Sequence, residues 1–446
     1  MRNYYNLARH EGNQQLFDVV EMAVISTLWD VPLHIHAEGL RGTGKTTIMR
    51  AARDILPPIE RIKGCLYNCH PDHPHCPQHR ALTRADVVLL GTEIVPRPFL
   101  EISHSAKIGT VAGSIDLVKI TDTTRPEAAL LPGIIPQAHR GIIFIDEINR
   151  LADTAPEITD VLLDVMGTKP GRIQIEETGL PVVEIPVQVS VWSASNPDEE
   201  PGPLQEIRRQ LSDRFDLVID MGRSKDPDVI AKILYQSEHS RKNLNRYADQ
   251  GSTHTDSDLQ RMRQGLEDIA ANYKELTMPD YLRNYIARTY VKYGLESLRA
   301  IEAIQHGALL NCALRGGDKV LISDILKVIP LALQHRMDRS DIAKIMTGSD
   351  GAFSKSKPGN GNNGANSYHN TGQPYSLNGE GNVAGQGQST PARSFLDPLK
   401  QLLGGKPQPN LQQPVDEIKA APPGQARRIP EVKQEDLIKA EEQLRS

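Results

Sequence analysis

The sequence predicts an α/β P-loop module, a parallel sheet flanked by helices, followed by an all-α domain and a disordered C-terminal tail. Three observations predict it. A complete phosphate-loop motif, Gly39-Leu40-Arg41-Gly42-Thr43-Gly44-Lys45-Thr46, stands between a strand pattern at 31–36 and a helical pattern from Ile48. An apolar run at 142–145 ends on Asp146-Glu147, a hundred residues after Thr46. Past Pro227 the apolar spacing turns helical, and past Gly348 it gives way to Gly, Asn and Ser. The expected division is 1–222 for the α/β part, 223–345 for the helical part and 346–446 for the tail.

The motif dictates a chemistry. Gly39, Gly42 and Gly44 let the backbone turn tightly and aim its N–H groups at phosphate oxygens. The helix behind them adds its positive end. Lys45 is placed to reach the β- and γ-phosphates, the Thr46 hydroxyl to hold Mg²⁺, and Thr43 and Thr47 complete the ATP-binding set. A glycine-rich turn that binds nothing is the bland alternative, and the unbroken match in a strand-to-helix context argues against it.

Composition excludes several classes. A net charge of -5 over 446 residues gives no bulk reason to expect nucleic acid. No apolar run approaches a membrane span, and the opening residues lack the apolar core of a secretory signal. Three of the four cysteines crowd into 65–76, a poor disulfide framework that suits a reducing cytoplasm.

In chain order, 16–29 carries a helical apolar stripe, and the helix after the phosphate loop stops at Pro57-Pro58. At 64–80 Cys65, Cys69, Cys76 and His79 are spaced C-x₃-C-x₆-C-x₂-H, with His70, His73 and His75 as alternative ligands. Three thiolates and an imidazole fit a structural tetrahedral Zn²⁺ site; the alternative is an irregular surface loop. The run 87–90 reads as a strand or the end of this knuckle, and 108–117 as a glycine-punctuated loop leading to a short helix. The run 142–147 reads as a central strand carrying carboxylates at its C-terminal end, Asp146 for Mg²⁺ and Glu147 for the attacking water. A helix at 159–166, a hairpin at 172–185 around Thr178-Gly179 and a strand at 187–195 follow. That strand ends on Asn196-Pro197, placed either to bond the γ-phosphate or its water, or to form an Asx turn. A last strand is expected at 217–219. Helical spacing marks 229–235, 259–276, 279–294, 298–315 and 323–335, the last with Ser323 as N-cap and a kink at Pro330. The stretch 236–257 reads as polar and mobile. The tail holds two islands, 395–403 and 434–444, either docking peptides or inert.

Taken in order, 39–46, 142–147, 193–197, 213–215 and 297–300 resemble AAA+ ATPases. More closely they resemble the ATPase subunit, or I subunit, of magnesium chelatase. The likeness spans roughly 10–340 and is carried by GCLYNC, VAGSIDL, LLPGIIPQAHRGIIFIDEIN, VLLDVM, RRQLSDRF and PLALQHR. It implies an AAA+ module with an all-α lid that hydrolyses ATP. In that resemblance Lys45 and Thr46 are the Walker A residues, Asp146 and Glu147 Walker B, and Asn196 sensor 1. Arg214 is the arginine finger, Arg299 the sensor 2 arginine, able to act across the interface, and Arg208 a possible assistant. An ion pair with Asp213 or Asp216 is the bland reading for Arg214. The resemblance further implies a hexameric ring of this chain, a partner with a von Willebrand A-type domain and a separate porphyrin-binding subunit. The segments 108–117 and 172–185 resemble inserts that face the ring's pore and partner. Three departures stand out: Ile301 replaces an acidic residue after Leu298-Arg299-Ala300, the knuckle is cysteine-rich, and the tail lies outside the shared module. A chaperone of the MoxR group, working on another client with an A-domain partner, is the alternative to metal insertion.

Overall fold

The computed structural model describes residues 3–115, 130–175, 182–243 and 253–352. Helix α1 (Gln14–Leu28) leads to strand β1 (Ile35–Glu38), and the phosphate loop leads from there into α2 (Lys45–Ala51). Strand β2 (Ile59–Ile62), the Cys/His segment, α3 (Arg84–Leu90) and β3 (Thr92–Val95) form an arm closed by antiparallel pairing of β2 with β3. Strand β4 (Phe99–Ile102) returns to the sheet. Next come α4 (Ile108–Ala112), a small antiparallel pair β5 (Gly113–Ile115) and β6 (Leu130–Pro132), and α5 (Ile134–Gln137). Strand β7 (Gly141–Asp146) precedes α6 (Ile148–Thr154) and α7 (Pro156–Val165). The hairpin strands β8 (Gly171–Ile175) and β9 (Val183–Val187) follow, then β10 (Val189–Ser195), α8 (Leu204–Ile207), α9 (Arg209–Ser212) and β11 (Leu217–Asp220). Helices α10 (Pro227–Asn243), α11 (Thr253–Tyr273), α12 (Asp280–Tyr293), α13 (Leu298–Leu314), α14 (Ile322–Leu333) and α15 (Arg339–Ala352) complete the described chain.

Five strands make one parallel sheet in the order β11-β1-β10-β7-β4. Their side chains alternate between two cores, as the pleat requires. Ile142 and Phe144 of β7 join Trp192 and Ala194 of β10 in the core shared with α1, α2 and the later helices. Ile143, Ile145, Val189 and Val191 face the other core, with α6, α7 and the β8–β9 hairpin. The first core is continuous from Leu16 in α1 to Leu282 in α12 and Leu333 in α14. At that seam the Trp29 indole N–H donates to the Ala270 carbonyl at 2.7 Å, and Arg263 donates to the Asp54 carbonyl at 2.7 Å.

Several elements differ from expectation. Residues 84–90 are a helix, not a strand: Thr83 and Asp86 form a reciprocal capping box that starts it. The run 108–115 is a helix followed by a strand where a loop leading to a short helix was expected. Ser323 does not cap α14; its N-cap is Leu321, whose N–H donates to the Asp324 carboxylate at 2.8 Å. Helix α10 runs well past Tyr235. Helix α15 carries past the expected tail boundary at 346 to Ala352. The expected hairpin tip at Thr178-Gly179, the end of 108–117, the middle of 236–257 and the tail from 353 with both its islands lie outside the described residues.

Candidate functional site: a phosphate loop among three strand ends

Strands β1, β10 and β7 are neighbours, so their C-terminal ends deliver three groups to one place, as open parallel sheets do. From β1 comes the phosphate loop. Gly42 and Gly44 take φ of 75° and 95°, the left-handed region closed to most side chains. At Gly39, φ 145°, a Cβ would stand 2.7 Å from the Met221 carbonyl oxygen, so only glycine fits the start of the loop. The Lys45 ammonium donates to the Gly39 and Leu40 carbonyls at 2.5 and 2.8 Å. Burial lowers the Lys45 pKa, while Asp146 and Glu199 pull it back up.

From β7 come the two carboxylates. The Thr46 hydroxyl donates to Asp146 Oδ1 at 3.2 Å, and Arg50 lies 3.5 Å from Asp146 Oδ2. Glu147 takes a left-handed φ of 54°, which turns the chain out of the strand and into α6. Its carboxylate pairs with Arg150 at 3.1 Å. From β10 comes Asn196. Its Oδ1 accepts the Asp198 N–H at 3.3 Å, the expected Asx turn, while its amide N–H₂ donates to Glu199. The two readings of Asn196 are therefore compatible: the turn aims the side chain.

Lys45, Thr46, Asp146, Glu147 and Asn196 line one cavity of about 440 Å³, with Arg41, Gly42, Gly44, Thr47, Ser195 and Glu199; Gly39 is not among its lining residues. Thr43, expected in the ATP-binding set, does not line it and donates to the Leu40 carbonyl at 2.9 Å. Glu199, Arg41 and Arg150 were not singled out from sequence. Glu199 accepts a bond from Asn196, pairs with Arg41 and lies 3.8 Å from Arg150. The Asp198-Glu199-Glu200 run just past the strand end was the available signal. The donor set suits a magnesium nucleotide: an ammonium held by carbonyls, and a hydroxyl beside a carboxylate.

Arg214 and Arg299 do not line this cavity. Both donate to the Gly167 carbonyl, at 3.4 and 3.0 Å. The expected alternative for Arg214, an ion pair with Asp213 or Asp216, is taken by other residues. Asp213 receives Arg336 at 2.9 Å and Arg299 at 3.8 Å, and Asp216 receives Lys169 at 3.1 Å. Arg208 pairs with Asp160 at 2.7 Å. The cysteines and His79 of the arm come together as well, apart from this site.

Comparison with known proteins fixes the family. A subunit ChlI of magnesium chelatase from Pyropia yezoensis is 31% identical over 311 residues, 70% of this chain and 83% of that one. The chain belongs to the magnesium-chelatase I-subunit family. A second I-subunit relative, the chloroplastic ChlI-1 of Arabidopsis thaliana, is 29% identical over 70% of this chain and 69% of its own. The family description "AAA lid domain" matches 283–350, which spans α12 to α15 and places the I-subunit module among AAA+ proteins. A reconstruction-based structure of the BchI–BchD complex of magnesium chelatase has 21% identity and a TM-score of 0.40, covering 77% of this chain and 98% of that one. Among the described residues of this I-subunit relative, no helix is long and apolar enough to cross a membrane.

Proposed function

We propose that the chain is the ATP-hydrolysing motor of a magnesium-chelatase-type complex, converting ATP and water to ADP and phosphate. The observation that carries the reading is the meeting of Lys45, Thr46, Asp146, Glu147 and Asn196 around one cavity. Lys45 binds the β- and γ-phosphates, exchanging the Gly39 and Leu40 carbonyls for phosphate oxygens. Thr46 and Asp146 hold Mg²⁺, which supplies charge neutralisation when bound. Glu147 leaves Arg150 to accept a proton from the attacking water, and Asn196 leaves Glu199 to orient it. The placing of Arg214 and Arg299 outside the cavity supports their use on the nucleotide of a neighbouring chain. Catalysis then requires an assembled ring, hexameric by the family resemblance.

In this reading 1–222 binds nucleotide and 223–345 reports its state. The client is a metal-insertion complex with a von Willebrand A-type partner and a porphyrin-binding subunit, in the cytoplasm. The test uses Glu147→Gln, which keeps ATP binding and loses turnover. With ATP, that variant retains both the A-domain protein and the porphyrin-binding subunit from native extract. Retained turnover removes Glu147 from catalysis, and capture of an A-domain protein with an unrelated enzyme overturns the chelatase role.

A further inference from the structure

The arm between β2 and β3 has no apolar core of its own. From Lys63 to Leu82 its regular structure is turns and a single bridge between His70 and His73. Its buried side chains are three sulfurs and few others: Cys65, Cys69 and Cys76 are each 1% exposed or less, beside Tyr67 and Asn68. Their Sγ atoms and one ring nitrogen of His79 all lie within 4.8 Å of one another, with Cys76 Sγ to His79 Nδ1 at 3.3 Å. A tetrahedral zinc with three sulfurs and one nitrogen sets its ligand atoms roughly 3.5–3.8 Å apart, from bonds of about 2.3 and 2.0 Å. All four cysteines of the chain, these three included, are free thiols.

The surroundings are those of a thiolate centre. Cys69 Sγ accepts the backbone N–H groups of His75 and Cys76, each at 3.4 Å. His75 Nδ1 stands 3.3 Å from the same sulfur, and its ring stacks on His139 with centroids 3.7 Å apart. His139 Nδ1 in turn accepts the Gln188 N–H at 3.1 Å. Asn68 takes a bond from Arg61 at 2.8 Å and donates to the Gln137 carbonyl at 2.6 Å. The Asn68–Gln137 and His75–His139 contacts reach the end of α5 and the turn between it and β7, the strand that ends in Asp146.

We infer that Cys65, Cys69, Cys76 and His79 hold a structural zinc ion, and that this ion braces the arm against the turn entering β7. Four protein ligands close the coordination sphere, so the site is structural and leaves no position for a reacting water. His75 is not a ligand: it bonds to the Cys69 sulfur from outside and carries the brace to His139. Zinc binding to such a segment adds folding free energy to that of the Tyr67 packing and the Asn68 bonds.

The experiment is element analysis by mass spectrometry of full-length protein, purified without a metal-affinity tag and dialysed. One zinc per chain is expected, with the zinc lost in Cys76→Ser and His79→Ala and retained in His75→Ala. Zinc well below one per chain in the wild type, or iron in its place, overturns the proposal. Loss from His75→Ala with retention in His79→Ala overturns the ligand assignment. Should the cysteine variant prove insoluble, titrating wild-type thiols with a mercurial reagent beside a chromogenic zinc chelator decides it. Release of one zinc per chain supports the site, and thiol modification without zinc release overturns it. The metal content does not depend on nucleotide, so this result stands apart from the fate of the ATPase reading.

Discussion

At the phosphate loop, Lys45, Thr46, Asp146 and Asn196 point into one hollow from the ends of three adjacent strands. Arg214 and Arg299 instead meet on a backbone carbonyl, Gly167, with Arg299 further tied to Asp213. The first region can bind a ligand by itself. The second holds two cations ready and supplies them with no anion but a weakly placed carboxylate. Each arginine is held through a carbonyl oxygen, a partner that a stronger anion could displace. The contrast teaches that strand ends gather side chains into one hollow, whereas these two arginines are held on the backbone away from it.

The sharpest way to break that contrast is Arg214→Ala. If the arginine face serves a neighbour, turnover falls by about 10³–10⁵-fold while nucleotide affinity barely changes. Mixing this variant with Lys45→Ala chains, which lack the phosphate-binding lysine but keep Arg214, restores part of the activity. No recovery in the mixed rings would place Arg214 in its own chain's site. Next in size, Glu147→Gln lowers kcat by about 10²–10⁴-fold, measured as phosphate release with nucleotide binding followed separately. A smaller drop would assign the water's proton to another base.

The strand-end site was legible in the sequence because its parts are contiguous motifs. The phosphate loop is eight residues in a row, and Ile142 to Ile145 followed by Asp146-Glu147 is a buried strand with its chemistry at the tip. The arginine face was legible only as single residues. Arg214 and Gly167 are 47 positions apart and Arg336 and Asp213 are 123 apart, so no local pattern could pair them. Residues 84–90 misled for a different reason. Val87 to Leu90 looks like a strand by composition, yet Val88 and Leu89 are 73% and 85% exposed, and the Thr83–Asp86 cap decides the helix. The cap signature was in the text, and apolar content outweighed it.

Acid should weaken the fold through His34. This imidazole lies buried beside Asp216, its Nδ1 accepting the Val191 N–H at 3.1 Å, and burial lowers its pKa to about 4. From pH 6.5 down to 4 the unfolded chain takes up a proton that the native chain refuses, so stability falls through that window and levels off below it. The loss is on the order of 3 kcal/mol. Urea midpoints across that range should drop less in His34→Gln than in wild type; equal slopes would remove His34 from the account. The smallest expected effect is Asp213→Asn. It strips Arg336, which also donates to the Asp213 and Phe215 carbonyls, of its carboxylate partner. Because Asp213 is a third exposed, a loss of about 1–2 kcal/mol is expected, read as a lowered Tm with ATP binding intact.

The indole of Trp29 lies half-buried at the seam, bonded to α11 through the Ala270 carbonyl and 6.4 Å from the Tyr273 ring. The other tryptophan, Trp192, is sealed in the sheet against Phe99. These two fluorophores sit in unlike surroundings on either part of the nucleotide machinery. The Trp192 emission is shielded from quenchers as long as the sheet is folded. A change in iodide quenching when nucleotide is added therefore reports on Trp29, and so on movement of α11 against α1. The molecule thus carries its own optical gauge of whether the helical part responds to the site, with no label attached.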